Sequence, residues 1–203
     1  MTIADDLKYV GLSRKARELE FYETAEWAAA EILQHEILTP TVIDPCAGSG
    51  ILADAAREHD CTLFEFDIYP WIDRYQLRNF LTDPCPVIRS NPDVTVFMNP
   101  PFSKSCEFVQ RCFDLNVRKI ICFQRLAWVE SAARRKFWDD HPPNRKYICG
   151  DRATAWLGTI PHEQRNVAKD RGGAGHAGPT AFGWFVWERG HPPGTLETRS
   201  YKP

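Results

Sequence analysis

Apolar and polar positions along the 203-residue chain alternate between two periods, and the switches between them mark out the elements. Between Thr24 and Leu38 the apolar residues Trp27, Ala28, Ile32, Leu33 and Ile37 recur at helical spacing, with Thr24 placed to cap the start. Thr41 to Asp44 is a short β-branched run that ends in a glycine turn and an alanine-rich helical pattern, the opening of a βαβ unit. Further strands are predicted at Cys61–Asp67, Tyr75–Arg78, Val94–Met98, Lys119–Gln124 and Arg145–Cys149, with an extended piece at Pro86–Ser90. Helical patterns cover about residues 103 to 115 and 126 to 139. Ala181 to Glu188 reads as a buried last strand with Trp184 and Trp187 in the core. Residues 5 to 20 read as a loosely attached helix or arm, and Gly190 to Pro203 as a tail. The order of elements predicts an α/β domain.

Composition narrows the class. With 43% hydrophobic and 12% aromatic residues the chain can bury the core of one globular domain. No apolar run approaches the ~18 residues of a membrane span, and the first residues lack the pattern of a signal peptide, so a soluble protein of the cytoplasm without membrane partners is expected. Seven cysteines without Cys-x-x-Cys spacing predict reduced core thiols and no metal site. Charge is uneven: residues 1 to 117 carry 10 Lys/Arg against 19 Asp/Glu, whereas residues 118 to 171 carry 12 against 6. Such a basic segment suits one positive face toward a polyanion, or a solvated surface that balances the acidic half. Within it Arg165, Lys169 and Arg171 adjoin a glycine-rich stretch and read as a phosphate-contacting flap.

Two turns carry candidate chemistry. The first is Asp44-Pro-Cys-Ala-Gly48-Ser-Gly50, where the glycines permit close approach of backbone to a ligand, Ser49 can cap the next helix and Asp44 can bind a cation or ammonium group. Ala53 stands where the dinucleotide fingerprint needs a glycine. The second is Asn99-Pro100-Pro101-Phe102, which ends a strand with an amide, two prolines and an aromatic. Prolines have no backbone donor, so acceptors dominate this corner. The Asn99 side-chain oxygen and the Pro100 carbonyl suit the two hydrogens of an exocyclic amino group, with Phe102 stacked on a planar ring. Taken alone, the tetrapeptide reads equally as a proline-capped strand with Phe102 in the core. A carboxylate at the end of the second strand commonly takes ribose hydroxyls; Glu65 is the first choice and Asp67 the second. Asn79 and Phe80 can bracket an adenine ring, with Asp83 a competitor. Both turns lie at carboxyl ends of predicted parallel strands and should meet at one cleft.

With these two motifs in place, residues 21 to 190 resemble the S-adenosylmethionine-dependent amino-methyltransferases, most closely the DNA adenine-N6 methyltransferases of the small phage and prophage type. The resemblance implies a single Rossmann-like class I domain, with a mostly parallel seven-stranded sheet and one antiparallel strand near the C-terminus. Asp44, Cys46, Ala47, Gly48 and Gly50 would hold the methionine part of the cofactor, Glu65 the ribose, and Asn79 and Phe80 the adenine. Phe21-Tyr22-Glu23-Thr24 is similar to the family's leading Phe-Tyr-Thr-Pro, which places Tyr22, with Asn99, at the cofactor as well. Asn99, Pro100, Pro101 and Phe102 match the family's catalytic turn in full. Gln124 to Glu130 and Gly183 to Trp187 look like the phage enzymes too. The order of motifs leaves residues 140 to 181 for target recognition, between an arm at 1–20 and a tail at 191–203. DNA is the implied partner. Enzymes that methylate a protein glutamine or an RNA base share such a turn, and a catalytically silent binding protein would keep the fold without turnover.

Overall fold

A computed structural model describes residues 3–151, 153–160, 180–192, 194 and 196–200. After helix α1 (Ile3–Glu18) come β1 (Tyr22–Glu23), α2 (Glu26–Ile32), β2 (Thr41–Asp44), α3 (Ile51–Arg57), β3 (Thr62–Asp67) and β4 (Gln76–Leu77). The chain continues through α4 (Pro86–Ser90), β5 (Thr95–Met98), α5 (Ser105–Asp114), β6 (Lys119–Arg125) and α6 (Arg135–Asp140). It ends with β7 (Arg145–Cys149), β8 (Trp156–Leu157), β9 (Phe182–Glu188) and β10 (Leu196–Ser200).

Among the described residues the main sheet has eight strands in the order β10-β7-β9-β6-β5-β2-β3-β4. Strand β9 runs antiparallel to both its neighbours, β6 and β7, while the other pairs are parallel. The expected mostly parallel sheet with one antiparallel strand near the C-terminus is therefore present, and β10 adds an eighth strand at the edge. That strand lies in the segment expected as a tail. Its residues 196 to 200 pair in register with all five residues of β7, which satisfies an edge the tail reading left open.

Burial explains why the central strands read as continuous apolar runs. All four residues of β5 and six of the seven in β6 are buried, as parallel strands covered on both faces must be. Alternate side chains feed two cores. Val96, Met98, Ile120, Cys122, Phe185 and Trp187 pack on one face under α4 and α5; Phe97, Ile121, Phe123, Trp184 and Val186 pack on the other under α2 and α3. Each such large side chain contributes roughly 1.5–3 kcal/mol of burial. Trp184 and Trp187 are core residues as expected. The seven cysteines are unpaired, and burial raises the thiol of Cys149 to about 12.

Several local expectations differ. Pro86–Ser90 is a helix, not an extended piece, because Pro86 at the first turn presets the helical φ. Helix α2 stops at Ile32, short of residue 38, and Ala25 rather than Thr24 is its N-cap. The chain then turns so that Glu36 enters a buried ion cluster at the amino ends of β6 and β7. There Lys119 Nζ lies 3.0 Å from Glu36 and 3.3 Å from Glu188, Arg145 Nη2 lies 2.6 Å from Glu188, and the Tyr147 hydroxyl donates to Glu36 at 2.8 Å. The pattern over 126 to 139 breaks into two 3-10 turns and the short α6. Helix α1 is anchored through Ala16, which is fully buried, and through a 3.1 Å contact between the Ser13 and Thr159 hydroxyls.

Candidate active site

The strand order reverses between β3-β2 and β5-β6, and the cleft lies at the carboxyl ends of β2 and β5, where open α/β sheets bind ligands. Asp44 is the last residue of β2 and only 1% exposed. Its Oδ1 accepts the Cys46 N–H at 3.2 Å, and its Oδ2 is buried with no hydrogen-bond partner among the described residues. Burial pushes the Asp44 carboxyl well above the ordinary carboxylate range; the Cys46 N–H opposes this, and the nearby charges of Asp67 and Glu65 add to it. An unmet buried acceptor of this kind is suited to an arriving cation.

Gly48 and Gly50 both have positive φ, +55° and +87°, in the turn that follows. A Cβ at Gly48 would also lie 2.7 Å from the Phe21 ring, whereas one at Gly50 would meet only the movable end of Arg74, so at Gly50 it is the backbone conformation that asks for glycine. The Gly48 N–H donates to Asp67 Oδ2 at 2.9 Å, tying the turn to the end of β3. Gly50 itself is the N-cap of α3, without a side-chain cap; Ser49 lines the cavity instead of capping the helix.

The cavity at this turn is walled by Tyr22, Thr24, Asp44, Asp67, Asn79 and Asn99 among others. Thr24 carries a second buried side-chain oxygen, Oγ1, that has no partner among the described residues. A ring stack closes one side, with Phe21 and Trp71 centroids 4.2 Å apart.

Asn99 follows β5 directly, and its Nδ2 donates to the Tyr22 carbonyl at 2.7 Å. A carbonyl can only accept, so this bond fixes which way the amide faces and leaves Oδ1 as an available acceptor. The Pro100 carbonyl also takes no hydrogen bond among the described residues, whereas the Pro101 carbonyl receives the Lys104 N–H at 2.9 Å and the Ser105 hydroxyl at 3.1 Å. The turn is thus braced at Pro101 and left open at Asn99 and Pro100. Beyond it Phe102 meets Tyr22 (5.7 Å between centroids), Phe182 (5.9 Å) and the Arg125 guanidinium (4.3 Å). These four residues line a second cavity, and Tyr22 belongs to the walls of both. The Asn-Pro-Pro-Phe turn therefore stands between two cavities.

No protein-family model matches the chain, and no curated protein matches it by sequence. Similarity of structure is found with the 23S rRNA methyltransferase ErmE, at 14% identity over 81% of this chain and 68% of that one, with a TM-score of 0.51. A candidate RNA methyltransferase of Pyrococcus horikoshii is similar at 12% identity over 90% and 98% of the two chains, with a TM-score of 0.50. A Thermoplasma acidophilum protein is similar at 18% identity over 94% and 100%, with a TM-score of 0.50. The fold is that of the class I methyltransferases.

Within this methyltransferase fold, Tyr22, Asp44, Cys46, Ala47, Gly48, Asn79, Asn99 and Pro101 line the first cavity. Gly50 supports the turn from just outside. Glu65 and Phe80 do not reach the cavity wall either. Glu65 is ion-paired with Arg57 and with Arg74, the latter at 2.8 Å, and Asp67, two residues on, lines the cavity in its stead. Phe80 is 1% exposed with its ring 5.6 Å from Phe108, so it is core, and its neighbour Leu81 lines the cavity. Asp83 is engaged outside, accepting the Cys85 N–H at 2.7 Å. Ile68 and Trp71 were missed; Ile68 carried a usable signal as an apolar residue directly after the strand-end acid. Arg165, Lys169 and Arg171 lie outside the described residues. Among the described residues no helix is long and apolar enough to cross a membrane, and no group of His, Cys, Asp and Glu is arranged to hold a metal ion.

Proposed function

We propose that this protein transfers a methyl group from S-adenosylmethionine to the exocyclic amino group of a nucleic acid base, with adenine N6 in DNA as the substrate. One observation carries the reading: Asn99 lines the first cavity with its amide fixed by the bond from Nδ2 to the Tyr22 carbonyl, which leaves Oδ1 as an acceptor, and Tyr22 lines the second cavity as well. The first cavity fits the cofactor. The unmatched carboxylate oxygen of Asp44 suits an ammonium group, Asp67 suits ribose hydroxyls, and Asn79, Ile68 and Leu81 supply the mixed polar and apolar surface an adenine needs. When bound, S-adenosylmethionine supplies a methyl group on a sulfonium already activated for displacement.

The chain's own part is alignment and polarisation. Asn99 Oδ1 and the Pro100 carbonyl accept the two hydrogens of the incoming amino group, which disfavours delocalisation of the nitrogen lone pair into the ring. Phe102 presents an aromatic face to the extruded base. As the nitrogen–carbon bond forms and the sulfur–carbon bond breaks, one amino proton becomes acidic and leaves along these acceptors toward solvent. No separate general base is required. The catalytic unit on this reading spans residues 21 to 190, with 140 to 181 serving recognition through Arg165, Lys169 and Arg171.

DNA is preferred because the Asn99 to Phe102 turn, Gln124 to Glu130 and Gly183 to Trp187 resemble the phage adenine-N6 enzymes, and residues 118 to 171 are basic. RNA is the second reading, since two proteins that share the fold are named for RNA. Incubation with methyl-labelled S-adenosylmethionine and, separately, duplex DNA, RNA and cell protein tests both. Label recovered as N6-methyladenine from DNA supports the first reading, and label in RNA alone supports the second. Label in protein alone replaces the substrate class, and cofactor binding without transfer to any of them identifies a silent binding protein.

A further inference from the structure

The Arg125 side chain has no role in the reading above, and its surroundings are unusual. Its guanidinium carbon lies 4.3 Å from the centroid of Phe102, nearer than either of the rings that meet Phe102. Among the described residues this cation forms no ion pair and no side-chain hydrogen bond. The residue is exposed, whereas Phe182 across the same cavity is buried. Its root is fixed all the same. The Arg125 N–H donates to Gln124 Oε1 at 2.9 Å; Gln124 is 1% exposed and bonded through Nε2 to the Ser105 hydroxyl, which in turn donates to the Pro101 carbonyl. A free planar cation is therefore tethered to the braced side of the catalytic turn and rests on the aromatic face that turn presents.

We propose that Arg125 holds the place of the target base on Phe102 in the ligand-free protein and gives it up when a phosphate takes the guanidinium. A guanidinium is flat and stacks on aromatic faces as a base does, and a cation–π contact at an exposed position is weak enough for a base to displace. The displaced cation then needs an anion, and no carboxylate among the described residues is paired with it. A base carried on a strand brings phosphates within reach of the exposed side chain; a free nucleoside brings none. Arg125 thereby couples opening of the base platform to the presence of a polyanion, and favours a base in a nucleic acid over the same base alone. The inference rests on the proposed methyl transfer to nucleic acid and deepens it.

The test compares wild type, Arg125→Ala and Arg125→Lys on genomic DNA and total RNA, with adenosine as the phosphate-free probe. Arg125→Ala should raise KM for the methylated nucleic acid about tenfold and lower the slope of log affinity against log salt by about 1, with the dissociation constant for S-adenosylmethionine unchanged. With the first cavity filled by S-adenosylhomocysteine, the same variant should bind adenosine more tightly than wild type, because the platform is uncovered. Arg125→Lys should restore the salt slope, since the charge remains, but should bind adenosine like the alanine variant, since an ammonium does not cover the ring as a guanidinium does. An unchanged salt slope in Arg125→Ala, or adenosine binding no tighter than wild type, overturns the proposal while the methyltransferase reading stands. Failure of the wild type to methylate either nucleic acid removes both.

Discussion

The Asn99 side-chain nitrogen donates to the Tyr22 carbonyl at 2.7 Å across 77 residues of sequence. This one bond decides the orientation of the residue on which the proposed chemistry depends, and it comes from a two-residue strand, β1, held in place by β8. Asn99→Ala should lower methyl transfer at least about 100-fold, as loss of an aligned polar group in a transition state does, with cofactor affinity nearly intact. Asn99→Asp is the sharper variant. Its carboxylate would set an acceptor against the Tyr22 carbonyl, so transfer should fall and the melting temperature should drop as well, which single-turnover kinetics and thermal melts read separately.

Asp44 gives a pH dependence with a definite sign. Burial raises its carboxyl well above 3.8, so the folded, cofactor-free protein favours the neutral acid more than the unfolded chain does. Between 3.8 and the raised value the folded state holds the extra proton, and stability falls as pH rises through that window. Asp44→Asn should therefore melt higher than wild type without cofactor at pH 7. Binding of a cationic cofactor wants the ionised form, so the variant should lose at least about tenfold in affinity and show no gain in affinity with rising pH. Melting curves with and without S-adenosylmethionine across pH check both halves.

Asp67 and Glu65 should separate cleanly. Asp67→Ala removes a carboxylate from the cavity wall and should weaken cofactor binding by about tenfold or more. Glu65→Gln leaves Arg57 and Arg74 with Asp54 as their one shared carboxylate among the described residues and should lower stability while changing affinity little. Trp71 lines the cavity, so its fluorescence is a direct readout of binding for both variants. Equal loss of affinity in the two would return the ribose role to Glu65.

The buried ion cluster at the far end of the sheet predicts acid lability. Burial alone would raise the Glu36 carboxyl, but Arg145, Lys119 and Tyr147 outweigh it and the net shift is downward from 4.5. Its stabilising contribution is thus present above 4.5 and is lost as pH falls through the depressed value. Glu36→Gln should cost about 3 kcal/mol at neutral pH, because Lys119 and Arg145 then share Glu188 alone. The loss should shrink in acid, and cofactor affinity should not change. Urea unfolding at two pH values measures it.

Much of this protein was determined by local sequence. The buried runs of β5, β6 and β9 announce a covered sheet because strands packed on both faces need apolar side chains at every position. The turns at Asp44 to Gly50 and Asn99 to Phe102 are legible because glycine and proline restrict the backbone by themselves, whatever surrounds them. Tertiary structure decided the rest. Glu65 and Asp67 share a face of β3, so period alone cannot rank them; Arg57 and Arg74, brought from outside the strand, occupy Glu65 and leave Asp67 to the cavity. Phe80 and Leu81 differ for the same kind of reason, since the pocket beside Phe108 takes the larger ring. The facing of Asn99 likewise depends on a carbonyl far away in the chain. Spacing reports which side of an element a residue is on, but the partner it meets there is set by the packing of segments distant in sequence.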